Sequence, residues 1–381
     1  MTASLKSLLF QELEEFREEG LLRKIRTLSN HRGARAQWEG RELLLFSGND
    51  YLGLSRDIRV IQAAATALQE QGVGSGAARL ISGTTNVHTR LEEELARFKK
   101  KEAALLFGSG YLANVGVLGA LAGKKDLIVM DKLCHASLID GARLSGATLR
   151  IFPHRRYAQC EKILEKGTHL SKRILVSDSI FSMDGDRADL AELIRLKEKY
   201  DCLLVVDDAH GIGVYGPEGR GATEGVEEKI DVIVGTLSKA FGVFGGFALG
   251  DRVLIDHLIN FSRAFIFATA PPPALSAAAL ESLRLIEEEG SSLRKRLWLN
   301  VDRVLEFVRR KGFQIENRSP IIPLMVGKEE QALQLSNQLL EKGILVPAIR
   351  YPTVPRGRAR LRLTVSAAHS DKDLEQLFQA L

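Results

Sequence analysis

Leu203-Leu204-Val205-Val206-Asp207-Asp208-Ala209-His210-Gly211 decides how this chain is read. The first four residues are apolar whichever way they point. A short run of that kind is how a strand buried on both faces of a parallel sheet reads. Ile174–Ser177 (ILVS) and Val232–Thr236 (VIVGT) have the same character. Ala103–Phe107, Leu127–Met130, Ala147–Phe152 and Gly246–Leu249 are further strand candidates. Helical patterns over 57–71, 88–100, 189–200 and 250–262 fall between or beside these strands. Strands separated by helices predict βαβ units, and so a doubly wound α/β domain with a mostly parallel seven-stranded sheet.

Outward from that domain the pattern changes. Leucines and Phe16 recur on one face over 5–27, which predicts an amphipathic helix interrupted at Gly20. RELLLF at 41–46 reads as a strand. A long helix opens at PPPALSAAAL, and a charged one runs from about 292 to 311. Strands at IIPLMVG, ILVPAIRYP and ARLRLTVS, with helices at 329–341 and 371–381, predict a smaller α+β domain. The expected division is an N-terminal helical segment 1–45, a large domain 46–285 and a small C-terminal domain 286–381.

Composition narrows the class. The chain has 381 residues, 45% hydrophobic and 27% charged, which suits a globular enzyme of two or three domains. No apolar run approaches the roughly 20 residues of a membrane helix, and the start has no signal-peptide pattern. A cytoplasmic protein is expected, with no membrane partner. The net charge of +5 is dispersed, without the basic stripe of a nucleic-acid surface, so no nucleic-acid partner is expected. Cys134, Cys160 and Cys202 form no CxxC pair. That argues against a disulfide framework and against a metal site.

Four stretches carry chemistry. Lys239, in Thr236-Leu237-Ser238-Lys239-Ala240-Phe241-Gly242, follows a buried strand. Desolvation makes such an amine nucleophilic, and its natural product with an aldehyde is an imine. A lone loop lysine would more often be a solvated one. Asp207 at a strand end can pair with a protonated pyridine nitrogen. Ala209, two residues on, shares its side of an extended segment and leaves room for a flat ring. Phe107-Gly108-Ser109-Gly110-Tyr111-Leu112-Ala113-Asn114 is a glycine-rich turn before a helix, where backbone amides bind phosphate. A nucleotide loop is the weaker reading. GALAGKK, within 117–125, is a residue short and lacks the hydroxyl, and no complete G-x-G-x-x-G is followed by a ribose-binding acid. His135, in Asp131-Lys132-Leu133-Cys134-His135, can stack on a ring or act on protons; a buried structural histidine is the bland alternative. Cys134 beside it is not a dyad partner, because neighbours in a chain point apart. The joint order of the four at strand ends says more than any one of them.

The chain resembles the α-oxoamine synthases, fold-type-I enzymes of pyridoxal 5'-phosphate (PLP). The matching stretches are FSGNDYLGL (46–54), SGTTNVHTRLEEELARF (82–98), FGSGYLAN (107–114), DKLCHASLIDGARLS (131–145), IFSMDGD (180–186), VDDAHGIGVYGPEGRG (206–221), TLSKAFG (236–242) and YPTVPRGRARLRLTVSAAH (351–369). They are spread over nearly the whole chain. The resemblance implies that Lys239 is the Schiff-base lysine and proton shuttle, and that Asp207 pairs with the pyridine nitrogen. It implies that His135 stacks on the ring and that Ser182 and His210 contact its hydroxyl. Gly110, Tyr111 and Thr236 would serve the phosphate, and Thr269 a partner subunit's phosphate. Arg362 would bind the amino-acid carboxylate, with Arg23, Asn49 and Thr353 on the substrate side. Alternation alone leaves Arg358, Arg360 and Arg362 equivalent. SGTTNVH, PTVP and RLRLT are similar to the branch that joins L-alanine to a pimeloyl thioester, pimeloyl-CoA or pimeloyl-ACP, in biotin synthesis. Tyr111, where phenylalanine is common, and Arg356 and Arg358 depart from the pattern. A homodimer with shared active sites is implied. The alternatives are a glycine C-acetyltransferase, an aminotransferase, an NAD-dependent dehydrogenase and a non-catalytic PLP-binding protein.

Overall fold

Strands β1 (Ser29–Arg32), β2 (Arg35–Trp38) and β3 (Arg41–Leu45) precede a run of seven: β4 (Ala103–Phe107), β5 (Leu127–Asp131), β6 (Thr148–Phe152), β7 (Arg173–Asp178), β8 (Leu203–Asp207), β9 (Val232–Thr236) and β10 (Gly246–Gly250). Then follow β11 (Ile321–Gly327), β12 (Ile344–Leu345), β13 (Ala348–Ile349) and β14 (Ala359–Thr364). The structure is a computed structural model and describes residues 3–381. It divides into two compact units: residues 49–182 with 186–296, and the described residues up to Gly48 with 183–185 and 297–381.

The first unit holds one seven-stranded sheet in the order β4-β10-β9-β8-β7-β5-β6. Neighbours from β9 to β6 pair in parallel, and β10 runs antiparallel to both β4 and β9. The reason for the exception lies in the connection. A parallel return takes a crossover of a dozen or more residues, and 237–245 is too short. Both faces of the sheet are buried. Val205, Ile128 and Val176 pack with Val117, Leu118 and Leu138 of the helices Gly110–Leu121 and Ala136–Ser145 on one side. Leu204, Val206, Val129 and Leu175 are equally inaccessible on the other. Each such side chain contributes about 1.5–3 kcal/mol relative to exposure, which makes this sheet a rigid platform for its strand ends.

In the second unit, β3 pairs with β2 antiparallel and with β12 in parallel, and β14 lies between β11 and β13. Phe46, just past β3, stacks on His369 with ring centroids 4.1 Å apart. His369 Nε2 donates to the Leu45 carbonyl at 3.1 Å, and Nδ1 accepts from the Ser366 N–H at 2.9 Å. These contacts tie the N-terminal strands to the C-terminal residues, which is why residues before 49 and after 296 share a unit.

The sequence pattern and the structure differ at several places. The helix expected over 5–27 ends at Glu18, because Gly20 takes a left-handed backbone (φ 67°). The polar composition of the hairpin β1–β2 gives no strand pattern. ILVPAIRYP forms two separate short strands, β12 and β13, split at Val346-Pro347; Pro347 has no N–H for a ladder, but its carbonyl accepts from Arg362 N–H at 3.0 Å. The ten-residue helices Ala136–Ser145 and Tyr157–Lys166 are too short for a clear period. Among the described residues, no helix is long and apolar enough to cross a membrane.

Candidate active site

The carboxyl ends of the parallel strands open on one cavity of about 200 Å³. Open α/β sheets place ligands there because the loops diverge and helix N-termini converge. Strand β8 delivers Asp207. Its Oδ1 accepts the Ala209 N–H at 2.9 Å, and its Oδ2 accepts from the Asn114 amide at 2.6 Å. Strand β9 delivers Thr236 and, through the loop 237–245, Lys239. That loop is held by Ser238 N–H to Thr236 Oγ1 (3.1 Å), Gly242 N–H to Lys239 O (2.8 Å) and Leu237 N–H to Gly245 O (3.0 Å). Gly242 is obligatory: its φ is 68°, and an added Cβ would meet the Ser55 nitrogen at 2.2 Å.

Strand β4 leads into Ser109, the N-cap of the helix Gly110–Leu121, whose Oγ accepts the Leu112 N–H at 3.2 Å. A Cβ at Gly110 would lie 3.2 Å from Thr236 Cβ, so the helix start and the end of β9 meet closely. Tyr111 is exposed at the rim, where its hydroxyl donates to Asp140 at 2.5 Å. His135 follows β5 as the N-cap of the helix Ala136–Ser145, with Nδ1 accepting the Ser137 N–H at 3.3 Å. The residue is open toward the cavity it lines. Desolvation pushes its imidazole below the ordinary value; Asp207 pulls it back, the Lys239 charge adds to the depression, and Asp140 opposes it.

Ser182 and His210 complete the lining on the side of the loops after β7 and β8. His210 Nδ1 shares a hydrogen bond of 2.7 Å with the buried Tyr51 hydroxyl. Asp178, at the end of β7, also lines the cavity, and its carboxyl accepts the His135 N–H at 3.2 Å. Burial, with Asp207 close by, holds the Asp178 carboxyl well above the carboxylate range.

Lys239, Asp207, His135, Gly110, Tyr111, Ser182, His210 and Thr236 therefore line a single cavity. Asn49 lies in the same unit, half-buried and within 3.4 Å of the Tyr51 hydroxyl, but outside that lining. Thr269 is exposed and bridges to Ala78. Arg23, Thr353 and Arg362 belong to the other compact unit. Arg23 and Thr353 are exposed there. Arg362 is buried in β14 and donates to Thr364 Oγ1 at 3.1 Å, whereas Arg360 is paired with Asp184 and Arg358 is exposed before the strand. The structure thus separates three arginines that alternation leaves equivalent. Asn114, Ser137, Asp178 and Tyr51 join the site without a sequence signal of their own. Asn114 and Ser137 stand inside quoted motifs, but nothing local distinguishes an inward-facing amide or hydroxyl from any other.

A wider groove of about 1070 Å³ lies between the helices Asn86–Phe98 and Pro273–Glu288. Two of its arginines are paired with its glutamates, as in Arg97–Glu287 (2.7 Å) and Arg284–Glu281 (2.6 Å). Its lining has no cysteine, histidine or lysine.

The donor set of the cavity fits a phosphorylated pyridine aldehyde. Amides at a helix N-terminus suit a phosphate, a carboxylate suits a ring nitrogen, and an amine suits an aldehyde. A doubly wound sheet with this cavity at its strand ends defines a fold-type-I PLP enzyme. Residues 41–381 match the aminotransferase class I and II family. An 8-amino-7-oxononanoate synthase from Citrifermentans bemidjiense is 45% identical over 370 residues, 96% of this chain and 95% of that protein. The serine palmitoyltransferase of Sphingomonas wittichii superposes with a TM-score of 0.93 at 32% identity, covering 100% of this chain and 97% of the other. A serine palmitoyltransferase variant from S. paucimobilis with a bound PLP–myriocin aldimine superposes with a TM-score of 0.92 at 29% identity, with the same coverage. The chain belongs to the α-oxoamine synthases within the aminotransferase class I and II family, and its cofactor is PLP.

Proposed function

We propose that this enzyme condenses L-alanine with a pimeloyl thioester, releasing CO2 and the free thiol and forming 8-amino-7-oxononanoate for biotin synthesis. The observation that carries the reading is the convergence of Lys239, Asp207 and His135 on one cavity at the strand ends. The 45% identity to an 8-amino-7-oxononanoate synthase over 96% of the chain supports the choice of substrates.

In this reading Lys239 holds PLP and moves the proton at the substrate Cα. Bound PLP supplies an electron sink for the pair left when that C–H bond breaks. Asp207 faces the ring nitrogen, His135 lies against the ring, and Ser182 and His210 hold its hydroxyl. The Gly110 and Tyr111 amides and Thr236 take the phosphate. Arg362 binds the alanine carboxylate through its planar fork, with Arg23, Asn49 and Thr353 on the substrate side. The enzyme works as a cytoplasmic homodimer with shared sites, where Thr269 serves the partner's phosphate.

The test is a panel of alanine, glycine and serine against pimeloyl, acetyl and palmitoyl thioesters, with thiol release as the readout. Alanine with the pimeloyl thioester is expected to be fastest. Preference for glycine with acetyl-CoA, or serine with palmitoyl-CoA, would overturn the substrate assignment. Lys239→Ala is expected to abolish turnover and the visible absorbance of the lysine-bound cofactor while the fold persists by circular dichroism; near-normal turnover would remove the lysine from its role.

A further inference from the structure

Asn114 is 1% exposed, and its amide nitrogen stands between two acceptors. One is Asp207 Oδ2 at 2.6 Å and the other is Ser137 Oγ at 2.9 Å. Ser137 Oγ lies in turn 2.7 Å from His135 Nδ1, and the Ser137 backbone N–H points at the same nitrogen from 3.3 Å. The Asn114 carbonyl oxygen is buried without a hydrogen-bond partner.

Counting protons along this relay leaves one arrangement. A carboxylate only accepts, so Asp207 demands the NH2 side of Asn114; a reversed amide would oppose two oxygens at 2.6 Å. The second amide proton then goes to Ser137 Oγ. The serine hydroxyl keeps its own proton for His135 Nδ1. A backbone N–H can only donate, so two donors converge on that ring nitrogen. The proton of the neutral ring is left on Nε2.

We propose that Asn114 and Ser137 are positioning residues that fix His135 as the Nε2–H tautomer, so that its outer nitrogen donates a hydrogen bond into the cavity and does not accept a proton there. The order of protons is set at Asp207 and transmitted through an amide and a hydroxyl. Desolvation at His135, which favours the uncharged ring, acts in the same direction, with Asp207 and Asp140 opposing it and Lys239 reinforcing it. The inference concerns groups of this chain alone and holds whichever amino acid and thioester are used.

The test is long-range proton–nitrogen NMR on enzyme labelled with 15N-histidine, cofactor-free and PLP-loaded, at neutral pH. The chain has eight histidines, and His135→Gln identifies the signals of interest. The wild type is expected to show a bare Nδ1 and a protonated Nε2 at His135. In Ser137→Ala and Asn114→Leu both nitrogen signals should move toward tautomer-averaged positions, with the other histidines unchanged. Ser137→Thr, which keeps the hydroxyl, should restore the wild-type pattern. A protonated Nδ1 in the wild type would overturn the proposal, even if a variant does not fold. So would a Ser137→Ala spectrum identical to that of the wild type. No substrate enters the measurement, so its failure and that of the proposed reaction are separate results.

Discussion

Asp207 and Asp208 are neighbours in sequence and strangers in environment. Asp207 is 8% exposed and lines the cavity, with its two oxygens facing Ala209 N–H and Asn114. Asp208 is wholly buried on the opposite side of the chain. It accepts from Lys99 Nζ at 3.1 Å, Thr223 Oγ1 at 2.8 Å, Ser179 Oγ at 2.6 Å and the Ala222 N–H at 3.1 Å. Lys99 is also fully buried and donates further to Thr223 Oγ1 at 2.7 Å. One carboxylate is turned toward the cavity. The other fastens the loop that carries His210 to the β7 end and to the helix before β4. Two neighbours in one motif thus have different surroundings, one lining the cavity and one locked in a buried hydrogen-bond network.

That division can be broken experimentally. Asp207→Asn keeps shape but sets an NH2 against the donor of Ala209 or Asn114, so turnover should fall by several powers of ten while stability, read from urea unfolding, falls by only about 1–3 kcal/mol. An equal loss of stability would make Asp207 structural too. Lys99→Met should do the reverse. It strands a buried carboxylate, and one-sided loss of a buried pair costs about 3–5 kcal/mol, read from chemical unfolding. Per-molecule activity of the folded fraction should remain within about tenfold. A variant as stable as the wild type would show that Thr223, Ser179 and the backbone suffice.

A third acid–base pairing sharpens the contrast between the two kinds of site. His154 lies 2.9 Å from Asp131 and 2.8 Å from Asp186. Burial alone would lower its pKa; the two carboxylate hydrogen bonds overcome this and hold it at about 9. The folded value is above the ordinary 6.5, so the contribution to stability is complete below about pH 6.5 and is lost as pH rises through about 9. The full swing is on the order of 3 kcal/mol. Urea midpoints at pH 6 and pH 10 should separate by that amount more in the wild type than in His154→Gln; parallel profiles would remove the effect. The smallest effect belongs to the surface. Arg310 and Glu306 pair with side chains 72% and 64% exposed, and Glu306→Ala should shift stability by less than about 0.5 kcal/mol. A larger shift would mean that solvent does not screen this pair as it should.

Much of the fold is legible in the order of residues alone. The buried strands, the mostly parallel character of their sheet and the placing of Lys239 and Asp207 after strand ends follow from short apolar runs, intervening helices and turn residues. The cavity's supporting groups do not. Asp178, Ser137 and Asn114 come from the ends of three different strands, β7, β5 and β4, or the helices that follow them, and no local spacing reports that they gather around His135 and Asp207. Apolar periodicity overstates the N-terminal helix, because it persists through Leu21 and Leu22 after Gly20 has turned the backbone.

The amino-acid sequence by itself determined the sheet and the family, because burial on two faces and chemical type are properties each residue carries with it. Only the tertiary structure decided what Asp208 fastens, which of three arginines pairs with Asp184, and which nitrogen of His135 the neighbouring donors face. Those depend on what stands within about 3 Å of an atom, the reach of a hydrogen bond, and distant segments supply that neighbour only after the chain has folded.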